Sequence, residues 1–174
     1  MPAAEPPILI RPLAPHDSLA ELTGVLHRAY AALADRGLLY LASHQDEATT
    51  RERAAGPGCQ CAVAVQSGRL IGTITAIRPG FASGAPWYER EGVACFGQFA
   101  VDPALQGRGI GGQLLRWAED AARAAGAREI ACDTAESALH LIRLYERRGY
   151  RFVEHVRWDV TNYRSVILSK RLGP

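Results

Sequence analysis

The stretch Val101-Asp102-Pro103-Ala104-Leu105-Gln106-Gly107-Arg108-Gly109-Ile110-Gly111-Gly112 concentrates four glycines at the start of an amphipathic run. Each glycine inside a helix costs up to about 1 kcal/mol relative to alanine, so a helix opening on four of them needs a compensating reason. A tight turn and close helix packing would be served by two. Bare backbone supplies a better reason. The first N–H groups of a helix lack intrahelical partners and carry partial positive charge, and without side chains around them a phosphate or pyrophosphate can lie directly on them. Val93 to Val101 is apolar enough to be a central strand. The helix from about Gly109 to Ala125 keeps Ile110, Leu114, Ala118, Ala121 and Ala125 on one side, with Arg116, Glu119 and Arg123 opposite. Strand, glycine turn and helix in this order commit the chain to an α/β fold.

The flanking elements follow from punctuation. Ile8 to Arg11 reads as a short strand stopped by Pro12. Asp17 can cap a helix carrying Leu19, Leu22, Leu26, Tyr30 and Leu33 and ending near Gly37, and Asp46 or Thr49 starts a second one that stops at Gly56-Pro57. Cys59 to Val65 and Arg69 to Ile77 flank the turn Ser67-Gly68 as a hairpin. Residues 78–92 hold Pro79, Gly80, Gly84, Pro86 and Gly92 and form a loop. After the glycine-opened helix, Ile130 to Cys132 fits a strand parallel to Val93–Val101, reached by a crossover. A helix from Ala138 to Arg148 and strands from Tyr150 to Val160 and Arg164 to Leu172 finish the chain. The result is a mixed central sheet with two N-terminal helices and flanking helices.

Gly107, Gly109 and Gly112 also spell GxGxxG, with Asp133 about twenty residues on, as a dinucleotide-binding fold requires. Two features oppose that reading. Five residues separate the strand from the first glycine where the dinucleotide turn is tight, and the motif follows a hundred residues of other structure instead of opening the fold.

At 174 residues the chain is sized for one domain, residues 1–174, with a core that needs no disulfide or structural metal. A net charge of +2, scattered along the chain, gives no footprint for nucleic acid. All but one of the 20 basic residues are arginine, so no arginine is singled out by its type alone. No window is apolar enough to cross a membrane, and Pro2, Glu5, Pro6 and Pro7 lack a signal peptide's plan, so a cytoplasmic location is expected. Cys59, Cys61, Cys95 and Cys132 match no zinc spacing and are expected to be free thiols, with no metal site.

Gln106-x-x-Gly109-x-Gly111 after a Val-Asp-Pro strand end resembles motif A of the GNAT superfamily of acetyl-CoA-dependent N-acetyltransferases. Leu144-Tyr145-Glu146-Arg147-Arg148-Gly149-Tyr150 is similar to the family's LYEKxGF segment, in the same order and spacing. The resemblance implies a GNAT-like sheet with a parallel pair of splayed central strands. It implies acetyl-CoA as cosubstrate, its pyrophosphate cradled by the backbone of Gln106, Gly107, Arg108, Gly109, Ile110, Gly111 and Gly112. Phe99, Ala100 and Val101 would pair with pantetheine through the main chain, and the Phe99 amide would hold the thioester carbonyl. Two departures stand out: Ala138 replaces an asparagine often found seven residues before the family's tyrosine, and Cys95 stands where some members carry a catalytic glutamate.

Acetyl transfer to an amine needs a free amine, an oxyanion donor and a proton for the leaving thiolate. Tyr145, with an unperturbed pKa near 10, can protonate a thiolate whose acid has a pKa of about 8.5 and would also contact the cofactor. Its place on the apolar helix face with Leu141 and Ile142 suits a core residue equally. Glu91, Glu89 and Asp133 are the candidate bases, Glu91 being the first choice; solvent could serve instead. Tyr40, His44, Trp87 and Tyr88 are available to an acceptor pocket, whose amine could belong to a small molecule or a protein. A non-catalytic acetyl-CoA sensor is the competing reading, and the two terminal strands could pair a homodimer.

Overall fold

A computed structural model describes residues 6–173. Its strands are β1 (Leu9–Pro12), β2 (Cys59–Gln66), β3 (Arg69–Ile77), β4 (Val93–Val101), β5 (Glu129–Ala135), β6 (Arg151–Arg157) and β7 (Arg164–Arg171). Its helices are α1 (Leu19–Ala34), α2 (Glu47–Ala55), α3 (Ile110–Ala124) and α4 (Leu139–Glu146). The strands form one sheet in the order β1-β2-β3-β4-β5-β7-β6. Every neighbouring pair is antiparallel except β4 and β5.

Alternation along the central strands divides the core between two faces. Ala94, Phe96, Ile130, Cys132 and Leu168 meet the buried stripe of α3, namely Ile110, Leu114, Leu115, Ala118 and Ala122. On the other face Cys61, Val63 and Leu70 receive Leu22, Val25 and Leu26 of α1. Farther along that face Val93, Cys95, Ala131 and Ile167 are covered by Ala85 and Tyr88 of the 78–92 loop. Burying a leucine side chain is worth about 1.5–3 kcal/mol, so the fully buried Leu114 and Leu115 anchor α3, and with it the glycine turn, against the sheet.

Several expectations are corrected in detail. Ser18, not Asp17, caps α1 by accepting from the Glu21 amide at 3.1 Å. Asp17 instead takes both ends of the Arg11 guanidinium at 2.6 and 2.7 Å and the Ala14 amide, a charge-assisted alternative that outcompetes a cap. Asp46 caps α2. Glu119 does not face solvent: α3 sets it against β7, where Lys170 pairs with both carboxylate oxygens and Tyr150 donates a third hydrogen bond. A buried carboxylate is tolerable only with such partners. β5 runs to Ala135 because β7 pairs along its whole length. β6 stops at Arg157, so residues 158–163 leave the sheet as a loop over the site.

Candidate active site

The glycine turn has the expected form. Gly107 and Gly109 lie at φ +81° and +78°, left-handed values that suit only glycine without strain. Gly109 is the N-cap of α3, and no side chain caps that end. The first helical bond runs from the Gln113 amide to the Gly109 carbonyl at 3.2 Å, so the amides of Ile110, Gly111 and Gly112 have no helical acceptor. A β-carbon on Gly112 would sit 3.0 Å from the Arg148 guanidinium, which places that cation over the helix start. One on Gly111 would sit 3.3 Å from the Phe99 ring. Uncapped amides beside a guanidinium fit a pyrophosphate.

β4 and β5 pair only from Val93 to Cys95, against Glu129 to Ala131, and then part. Beyond that point β4 carries one extra residue relative to β3: Thr73 faces Ala100 and Thr75 faces Gly97. The bulge leaves Gln98 at φ +48° and turns Gly97 and Gln98 toward α2, while Phe99 turns toward α3. A cleft of about 560 Å³ opens where the strands part. It runs from Gly107, Gly109, Gly111 and Gly112 past Phe99, Ala100 and Val101 to Tyr145 of α4, and reaches Tyr30, Tyr40 and Asp133. The Phe99 carbonyl already accepts from the Tyr30 hydroxyl at 3.0 Å. Tyr145 is 7% exposed, with its ring packed on Phe96 and Tyr150. Burial raises its pKa well above the usual tyrosine value, and its hydroxyl has no partner among the described residues.

A second cavity of about 370 Å³ adjoins the first and shares Tyr30, Tyr40 and Asp133 with it. Asp133 is the one acidic residue in either lining among the described residues. Its carboxylate accepts from the Tyr88 hydroxyl and the Trp158 indole N–H, both at 2.9 Å, and those two rings are stacked. Burial raises its pKa above the usual carboxylate range despite these donors. Aromatic walls come from Tyr30, Tyr40, Tyr88, Phe96, Trp158 and Tyr163, and Arg53 of α2 supplies a cation.

The sequence candidates divide accordingly. Gln106, Gly107, Gly109 to Gly112, Phe99 to Val101, Tyr145, Tyr40, Tyr88 and Asp133 all line the cavities, whereas Arg108 of the turn lies outside both linings. Glu91 does not: its side chain is 92% exposed and lies 3.8 Å from Arg128, at the far end of β4 from the bulge. Glu89 accepts from the Gly84 amide. Trp87 packs under Arg90 outside both cavities, and His44 is exposed next to Ser43. Ala138 leaves the N-terminus of α4 without a side-chain cap. Tyr30, Arg53, Arg148, Trp158 and Tyr163 were not among the site candidates of the sequence; their roles arise from α1, α2, the end of α4 and the β6–β7 loop converging on one opening. Among the described residues no group of three or more His, Cys, Asp or Glu could hold a metal, and no helix is long and apolar enough to cross a membrane.

The fold and cavities define an α/β domain in which an extended cleft, opening on uncapped helix amides, adjoins a second, aromatic pocket. Residues 26–150 match the acetyltransferase (GNAT) family, and the chain belongs to it. It is 34% identical over 140 residues to S-(2-succino)cysteine N-acetyltransferase of Bacillus subtilis (strain 168), covering 77% of each chain. A 95-residue stretch, 55% of this chain and 58% of the relative, is 30% identical to aminoalkylphosphonate N-acetyltransferase of Salmonella typhimurium. The ribosomal-protein-S18-alanine N-acetyltransferase from Escherichia coli shares the fold at a TM-score of 0.72 and 19% identity, over 97% of this chain and 96% of that one. The chain is thus a GNAT-type N-acetyltransferase, of a family whose cosubstrate is acetyl-CoA, and it transfers an acetyl group to an amine.

Proposed function

We propose that the acceptor is a small-molecule amine that enters the second cavity and meets the thioester where the two cavities join, at Asp133. The observation that carries this reading is that junction: one buried carboxylate shared by a phosphate-fitted cleft and an aromatic pocket. The two N-acetyltransferase relatives, named for S-(2-succino)cysteine and for aminoalkylphosphonates, act on small amines, which agrees with a pocket of this size. Reaction proceeds by direct attack with both substrates bound. Bound acetyl-CoA supplies an acyl carbon open to the amine and a thiolate as leaving group.

Amides of Ile110, Gly111 and Gly112 hold the pyrophosphate, with Gln106, Gly107, Arg108 and Gly109 shaping the turn and Arg148 adding charge. Main-chain groups of Phe99, Ala100 and Val101 on the freed edge of β4 align the pantetheine arm. At Phe99 the carbonyl is engaged by Tyr30, so the amide is the group that serves the thioester oxygen. Asp133 accepts a hydrogen bond from the incoming amine and takes the place first assigned to Glu91. Tyr145 stays protonated across the neutral range because burial raises its pKa, so its hydroxyl is in place to donate to the thiolate as the C–S bond breaks. The setting is cytoplasmic and free of nucleic acid, which the free cysteines and the near-neutral charge support. β6, the outer strand at the C-terminal side of the sheet, offers an edge for a homodimer.

Free-thiol release from acetyl-CoA with a panel of small amines tests the reading. Saturable release with at least one small amine is expected. Tight CoA binding without release in any arm would favour a sensor, and release only with protein or peptide amines would reject a small-molecule acceptor.

A further inference from the structure

Arg53 and Asp133 line the same cavity yet are not paired with each other. Asp133 is satisfied by Tyr88 and Trp158. Arg53 gives one N–H, from Nη1, to Gln45 Oε1. Gln45 is itself buried and fixed by donating to Gln98 Oε1 at 2.6 Å and Thr50 Oγ1 at 2.8 Å, so the guanidinium is held in place. A guanidinium has five N–H donors. The rest of those of Arg53 find no acceptor, and no carboxylate forms an ion pair with it, among the described residues. Gly97 lies beneath it: a β-carbon there would make ordinary contact with Arg53 Nη2 at 3.7 Å, so the cation sits directly over the bulge of β4. A cation that is desolvated, positioned and left with free donors in an aromatic pocket lacks an anion.

We infer that Arg53 is the anion subsite of the acceptor pocket, selecting small amines that also carry a carboxylate, phosphonate or similar oxyanion. The inference rests on the proposed acceptor pocket and narrows its ligand. The polarity of the cavity orients such a molecule. Asp133 belongs to both cavities and Arg53 only to the second, so the amine points to the thioester while the oxyanion points away from it. The aromatic walls are less polarisable than bulk water, which strengthens both charged contacts. The donor set fits carboxylate and phosphonate alike.

The test compares matched probes on the wild-type protein saturated with CoA. Calorimetric titration uses L-amino acids, β-alanine, 4-aminobutyrate and 2-aminoethylphosphonate against the corresponding amino acid amides and n-alkylamines. At least one anionic amine is expected to bind about 10- to 100-fold tighter than its uncharged counterpart. Arg53→Met should erase that preference and Arg53→Lys should restore part of it, both with unchanged acetyl-CoA affinity. In turnover the loss should appear in KM for the anionic amine. Equal binding of charged and uncharged partners, or preference for the uncharged one, on the wild type overturns the inference without reliance on any variant, as does an undiminished preference in folded Arg53→Met. Arg53-dependent binding of an anionic amine with no thiol release would keep the subsite and refute acetyl transfer to that amine.

Discussion

Two neighbouring tyrosines with different hydroxyl surroundings allow a stringent test of the proton donor. Tyr145 and Tyr150 pack ring against ring at 5.7 Å and both touch Phe96. The Tyr145 hydroxyl has no partner among the described residues, whereas that of Tyr150 donates to Glu119 at 3.1 Å. Tyr145→Phe therefore removes no hydrogen bond and keeps the packed ring, so stability should change by no more than about 0.5 kcal/mol. Tyr150→Phe removes a bond to a buried carboxylate that still holds Lys170, at an expected loss of about 1–2 kcal/mol. For a chain of this length that corresponds to a Tm lower by about 2–8 °C. Activity should show the reverse order. Positioned proton donors give about 10²- to 10⁴-fold, and a thiolate is already a fair leaving group, so Tyr145→Phe should turn over about 10- to 100-fold more slowly. Tyr150→Phe should stay near the wild-type rate. The deficit in Tyr145→Phe should shrink with acyl donors whose thiol is more acidic. Thiol release at saturating amine, under conditions where chemistry limits, supplies the rates, and thermal melts supply the stabilities. Wild-type turnover by Tyr145→Phe would refute the reasoning and leave the proton to water.

Gly111→Val should weaken CoA binding at least about tenfold by calorimetry while the protein stays folded, because the new side chain meets only the Phe99 ring and Val101. Gly109→Val is the poorer probe, since φ +78° strains any branched residue and confounds affinity with stability. Asp133 acts ionised and its pKa is raised by burial, so kcat/KM should fall as pH drops through a value above about 3.9, and Asp133→Asn should lose that limb. The Cys95 thiol is buried and its pKa pushed up, so intact-mass analysis after incubation with acetyl-CoA alone should show no adduct of about 42 Da on it.

The legible parts of this chain were those where a local pattern has one physical meaning. Glycines between an apolar strand and an amphipathic helix specify a turn and bare amides whatever surrounds them, and Ser67-Gly68 supplies the two positive-φ residues a tight hairpin needs. The segment around Tyr145 was legible because its position on α4 is set by its own periodicity. The acceptor pocket was not legible. Arg53 sits on a short polar helix that reads as solvated, and only the fold brings its guanidinium over Gly97, far along the chain. Trp158 and Tyr163 were assigned to or beside a strand; they reach the pocket because β6 ends early. Asp133 ranked behind Glu91 among the three candidate acids, because only the fold brings Tyr88 and Trp158 onto it, and Glu91 points away from the cavities in a direction that no spacing encodes.

The short contact between β4 and β5 also makes the sheet two ladders, β1 to β4 and β5-β7-β6, sewn together at one end by Val93–Cys95 and Glu129–Ala131. The width of the gap at the glycine turn is therefore set at a pivot, through the packing of Cys95 against Ala131 and Ile167 under the 78–92 loop. A small change in side-chain volume there is multiplied along the length of the diverging strands. Cys95, which also lines the second cavity, and Ala131 are thus the side chains at the hinge from which the two ladders diverge.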